Sequence, residues 1–238
     1  MWLKACLNGP RRQDEHRALP VTAEEIGADA GRVVAAGAAG IHVHVKNRLG
    51  SDTFEAGALA NALAAIRAPA PRVPVGVTTG AWALPAVEDR LAAIRSWTAL
   101  PDFASVNWHE DGADQVAAAL LDRGVGVEAG LWHDEAVSGW LSSPHRDRML
   151  RVLIELQPDV PVAEVATVAD RRLSTIRRAV GQAIPVLLHG EDANCWAALE
   201  HARIRGLASR IGLEDTLRMP DGAVAADNAA LVRAARGW

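Results

Sequence analysis

The chain has 238 residues, 50% of them hydrophobic and 23% charged, with a net charge of -4. This composition supports a large core and excludes disorder, and the acidic balance argues against general nucleic-acid binding, which needs a basic footprint. No uncharged run of ~18 apolar residues marks a membrane span, and the N-terminal segment lacks a signal-peptide pattern, so a cytoplasmic location is the expectation.

Short apolar runs alternate along the chain with longer amphipathic stretches, the pattern of βα units on a parallel sheet. Strands are expected at 3–7, 39–45, 73–77, 103–106, 125–127, 151–155 (or else 160–165), 184–188 and 211–213. Helices are expected at 22–36, 54–67, 84–98, 111–122, 133–140, 170–180, 194–205 and 228–236. The first helix opens on Thr22-Ala-Glu-Glu, a capping-box signature. Eight strands and eight helices in this length predict one (β/α)8 (TIM) barrel domain over 1–238. An open doubly wound sheet is the competing architecture, but no GxGxxG joins a strand to a helix. Cys6 and Cys195 lie in apolar segments and read as buried, reduced thiols.

Polar residues recur at the C-terminal ends of the expected strands: Asn8, His42, His44, Thr78, Asn107, Glu128, His189 and Glu214. In a barrel that end carries the active site. His42 and His44 are two apart on one strand, so both imidazoles share a face. Zinc accepts neutral histidine nitrogens and a carboxylate oxygen at ~2.0–2.2 Å. The last strand of a barrel closes against the first, which brings Glu214 within reach as a third ligand and leaves positions open for substrate. The plain alternatives are an incidental histidine pair and a Glu214-Asp215 pair that only caps the segment after the strand. Arg210 can fix a carboxylate, either a substrate's or that of Asp215. Asn8, Thr78, Thr79 and Ser105 can bond an oxygen-rich ligand or merely cap strand ends. Glu128 is an acid–base group or an ion-pair partner. His189 can contact substrate or pack beside a metal. Trp108 and Trp132 follow strand ends and can line a pocket. His16, His109, His133, His145 and His201 read as solvated.

Several stretches resemble the β-keto acid cleavage enzymes, typified by 3-keto-5-aminohexanoate cleavage enzyme. They are Asn8-Gly9-Pro10-Arg11, Leu19-Pro20-Val21-Thr22, AGAAGIHVHV ending at Val45, Thr78-Thr79-Gly80, Ser105-Val106-Asn107, Val127-Glu128, SRIGLEDT at 209–216 and the run from Asp227 to Val232. The resemblance implies a TIM barrel with one Zn2+ on His42, His44 and Glu214. It implies condensation of a β-keto acid with acetyl-CoA, releasing acetoacetate and an acyl-CoA. Asp215 then resembles the proton-transfer residue, oriented by Arg210. Thr78 and Ser105 resemble hydroxyls near the substrate, with Thr79, Asn8 and Asn107 beside them, and Glu128 a partner carboxylate deeper in the site. Homo-oligomers, dimers or tetramers, are implied as well, and Trp140 or Trp238 is an expected interface residue.

The chain departs from the family pattern. The region 151–165 is trimmed and lacks a glycine-rich turn. Leu207-Ala208-Ser209 replaces two glycines and a histidine, and Thr216 stands where Asn is expected. The alternatives are a metal-dependent aldolase or hydrolase that uses no CoA, and a non-catalytic homologue.

Overall fold

A computed structural model describes residues 1–237. Its eight parallel strands are β1 (Leu3–Cys6), β2 (Gly40–Val43), β3 (Val75–Thr78), β4 (Phe103–Asn107), β5 (Gly126–Leu131), β6 (Arg151–Leu156), β7 (Val186–Gly190) and β8 (Ser209–Ile211). They pair in the order β7-β6-β5-β4-β3-β2-β1-β8. The ring is closed between β7 and β8 by a single bridge, Leu187 to Ala208, where Leu188 N donates to Ala208 O at 3.0 Å. Ser209 Oγ adds a bond to Leu188 O across the same seam. The architecture is the expected TIM barrel.

Eight helices cover the strands: α1 (Ala23–Ala35), α2 (Ala56–Arg67), α3 (Val87–Ser96), α4 (Ala113–Asp122), α5 (Asp134–Leu141), α6 (Val165–Val180), α7 (Cys195–Ile204) and α8 (Asn228–Gly237). The capping box of α1 is formed as its sequence predicts, with Thr22 and Glu25 each bonding the other's backbone. The sixth strand is 151–155 extended by one residue, not 160–165. Pro161 removes a ladder donor there, and Val165, Val168, Ala169, Arg172 and Ile176 are buried at helical spacing. So α6 starts five residues before its expected position. In contrast, α3 starts three residues late, because Pro85 disfavours helix at the residue before it.

The barrel floor carries an ionic layer. Lys4 Nζ meets Glu128 Oε2 at 2.5 Å, both side chains fully buried, and Arg151 Nε lies 3.2 Å from Glu128 Oε1. The Arg151 guanidinium stacks 3.9 Å from the Trp2 ring. Trp140, expected at an interface, is instead fully buried; Trp238 lies outside the described residues. Cys6 and Cys195 are buried and unpaired by disulfide. Among the described residues no helix is long and apolar enough to cross a membrane.

Candidate active site

A cavity of about 510 Å³ opens at the C-terminal ends of the strands. His42, His44, Thr78, Ser105, Asn107, Arg210 and Glu214 all line it. His42 is held within the β2 ladder, but His44 lies one residue past it. Its N–H, which no neighbouring strand satisfies, donates to Asn8 Oδ1 at 2.9 Å. Asn8 Nδ2 in turn bonds the carbonyls of His44 and Pro20. Asn8 therefore positions His44 and does not line the cavity, contrary to its expected contact with substrate. Its amide is already spent on backbone.

Glu214 lies within a turn after β8 in which Asp215 N and Thr216 N both bond Gly212 O. Room for it comes from Gly9, which has φ +58°; a Cβ there would lie 2.5 Å from Glu214 Cγ. Glu214 Oε2 is 3.9 Å from His42 Nε2, and Glu214 Oε1 is 3.8 Å from His44 Nε2. One donor atom from each residue lies within 4.8 Å of the others.

Two observations test whether these residues fit a metal. His42 Nδ1 and Glu214 Oε2 are buried without a hydrogen-bond partner, a state that costs free energy unless something else satisfies them. His44 Nδ1 lies 2.8 Å from Asp52 Oδ2, so Nδ1–H donates to Asp52 and the Nε2 lone pair is left facing Glu214. Burial also pushes the His42 pKa well down, with Lys4 and His44 adding to it, so its imidazole is neutral. Burial opposes charge on Glu214, but Arg210 and His44 outweigh it and hold its carboxyl below the usual range. A neutral His42 imidazole and an ionised Glu214 carboxylate are forms that bind a divalent ion. Cys6 also lies near Glu214 and Asp215, but burial drives its thiol pKa well up, which makes it a poor ligand.

Asp52, which the sequence did not single out, does more than orient His44. It accepts Lys46 Nζ at 2.6 Å and Trp82 Nε1 at 2.8 Å, and Trp82 stacks on the His44 ring at 5.7 Å. Lys46 also bonds Gly9 O at 2.6 Å, joining the β1 and β2 loops beneath the site.

Arg210 bridges two carboxylates, with Nη2 3.0 Å from Glu214 Oε1 and 2.7 Å from Asp215 Oδ1. Asp215 lies behind Arg210 and Glu214 with no exposed surface, and its Oδ2 has no partner. Burial raises its pKa to about 7; Arg210 opposes this and Glu214 reinforces it.

The remaining expected site residues divide. Thr78 Oγ1 accepts Gly80 N at 3.1 Å, which leaves its O–H free to donate into the cavity. Asn107 Nδ2 donates to Glu110 Oε1. Thr79 spends its hydroxyl on Ser105 O at 2.7 Å and is not in the wall. Glu128 is in the barrel floor as the ion-pair partner of Lys4 and Arg151, away from the cavity. His189 is buried between Glu155, at 3.4 Å, and Asp215, at 3.7 Å. Trp132 lines the cavity and Trp108 does not. His16 and His201, read as solvated, are buried and bonded to Ala225 O and Asp170 respectively.

Glu155 at the end of β6 and Glu191 just after β7 also line the cavity. Burial raises the pKa of both, that of Glu191 to about 7, with Glu155 adding to the rise. The sequence hid them: Glu155 ends an apolar run, and Glu191 reads as a turn residue.

A family model described as beta-keto acid cleavage enzyme matches residues 1–238. No curated protein matches the chain. Among solved structures, a binary complex of ObcA with oxaloacetate has a TM-score of 0.67 at 19% identity, covering 92% of this chain and 63% of that one. A ternary complex of ObcA with a C4-CoA adduct and oxalate has a TM-score of 0.68 at 19% identity, with the same coverage. Proteus mirabilis N-acetylneuraminate lyase has a TM-score of 0.59 at 14% identity, covering 87% of this chain and 68% of that one. The chain thus spans less than two thirds of the ObcA chains it matches.

Proposed function

Because the chain belongs to the β-keto acid cleavage enzyme family, we propose that it condenses a β-keto acid with acetyl-CoA, releasing acetoacetate and the CoA thioester of the remaining acyl group. The observation that carries this reading is the convergence of His42, His44 and Glu214 at the mouth of the barrel, with His42 Nδ1 and Glu214 Oε2 lacking protein partners. Two imidazole nitrogens and one carboxylate, with space left for substrate, are the donor set of a catalytic zinc. We assign zinc as the cofactor, one ion per chain. When bound there it supplies Lewis-acid polarisation of a substrate carbonyl.

The chain's own residues account for the rest. Arg210 offers a guanidinium fork to a substrate carboxylate. A carboxylate that draws this guanidinium towards it uncovers Asp215. The free Oδ2 of Asp215, with its raised pKa, suits it to accept the C2 proton near neutral pH. The Thr78 and Ser105 hydroxyls donate to substrate oxygens. Oxaloacetate, bound in one ObcA structure, is itself a β-keto acid, and the other holds a CoA adduct. Both support the same pair of substrates here.

The test is to incubate zinc-loaded protein with acetyl-CoA and a pool of β-keto acids, then analyse the thioesters by mass spectrometry. A new acyl-CoA together with acetoacetate is expected, and Glu214→Ala abolishes both along with bound zinc. Undiminished turnover by metal-free protein refutes the zinc assignment. Turnover without acetyl-CoA moves the chemistry to the aldolase or hydrolase class.

A further inference from the structure

Glu214 sits beyond the point where its strand is paired. The last register pair of β1 and β8 is Ala5 with Ile211. After it, Gly212 crosses β1 so closely that a Cβ there would clash with Cys6 O. Glu214 N then reaches Cys6 O only at 3.3 Å. The ladder by itself therefore holds the backbone of Glu214 loosely.

A side-chain amide takes over where the ladder ends. Asn228, the first residue of α8, is fully buried. Its Oδ1 accepts Leu213 N at 2.6 Å, and its Nδ2 donates to Leu7 O at 2.7 Å. Leu213 immediately precedes Glu214. Leu7 N donates to His42 O at 3.0 Å, and the next residue, Asn8, accepts His44 N. One amide thus joins the backbone that carries the carboxylate to the backbone that registers both imidazoles. That amide is held in its turn. Asn228 Nδ2 makes a second bond, at 2.7 Å, to Asp29 Oδ2 on α1. Asp29 has no exposed surface, and Arg32 pairs with its other oxygen at 2.9 Å. A buried carboxylate is costly unless it is bonded. Here its bond fixes the donor end of the amide and leaves the amide oxygen to Leu213 N.

We propose that Asn228, turned by Asp29, is the positioning residue that sets Glu214 against His42 and His44 as a metal ligand. The carboxylate stands 3.9 Å from one ring nitrogen and 3.8 Å from the other, so neither ring fixes it by a hydrogen bond. Arg210 grips its side chain, but the backbone from which that side chain starts is placed by Leu213. Ligand distances are held to within about 0.2 Å in a metal site, so a small drift of that backbone weakens the site.

This inference rests on the metal reading above and not on turnover. Zinc affinity of folded protein is measured against a chromophoric chelator, and stability of the metal-free protein by urea denaturation. Asn228→Asp keeps the shape but sets an oxygen against Leu7 O and Asp29. It is expected to weaken zinc binding about a hundredfold and to shift the visible absorption bands of the cobalt-loaded protein. Adding Asp29→Asn returns a donor to the pair and is expected to recover most of the affinity. Should Asn228→Asp fail to fold, Asp29→Ala carries the test, with an expected loss of about tenfold. Unchanged zinc affinity in a folded variant, or no recovery in the double substitution, makes Asn228 a structural bond only and overturns the proposal. A wild-type protein that binds neither zinc nor cobalt overturns the metal reading and this inference together. Weakened zinc binding in the variants, in a protein that turns over no β-keto acid, supports the positioning role while refuting the proposed reaction.

Discussion

At the scale of single residues, the site depends on groups that set the direction of other groups. The HxH pair is legible in the sequence because strand periodicity alone puts both rings on one face. Glu214 is legible because a barrel must close. Asp52 is not, since only the folded loop brings it 2.8 Å from His44 Nδ1. Asn8, Thr79 and Glu128 mislead for the opposite reason. Each follows the end of an expected strand, but β5 runs on to Leu131 and leaves Glu128 in the floor, and all three are claimed by protein partners that only the fold reveals. Asp52→Ala should weaken zinc binding about 10- to 100-fold by freeing the His44 tautomer and ring. Titration against a chromophoric chelator measures this, and an unchanged affinity would show that Asp52 does not set the ligand.

At the scale of elements, apolar spacing located seven strands and the helices and left two segments open for the sixth strand, while prolines and caps decided element ends. Pro161 is the clearest case: the segment 160–165 carries enough valine to pass for a strand, but Val162–Glu164 form an exposed 3-10 turn and burial at helical spacing begins only at Val165. The capping box of α1 is the local feature the sequence specified most fully. Thr22→Ala should cost about 1 kcal/mol, a fall in Tm of about 2–4 °C for a chain of this size, without altering zinc affinity. Calorimetry beside the chelator titration checks both halves; a loss of zinc along with stability would mean that α1 supports the site directly.

At the scale of the whole molecule, the ring is held by two unlike devices. The seam between β7 and β8 is one bridge and a serine bond, while the floor is tied by Lys4, Glu128 and Arg151 across β1, β5 and β6. This layer was unreadable from sequence, because a lysine and a glutamate 124 positions apart give no sign of pairing until the strands close. Glu128→Gln leaves the Lys4 ammonium buried without a counter-charge and should destabilise the fold by about 3–5 kcal/mol. Urea denaturation reads this directly, and a loss below about 1 kcal/mol would show that Lys4 is relieved by water or by another carboxylate.

That sealed floor governs traffic as well as stability. With the bottom of the barrel plugged by ions and aromatic rings, the cavity has one doorway, and whatever enters last stands between the earlier guest and the exit. On the proposed function, a small acid would be seated before a bulky thioester arrives, and a thioester that came first would act as a stopper. On the proposed function, the same salt bridge that keeps the strands together would impose a queue on the molecules that enter and leave by that doorway.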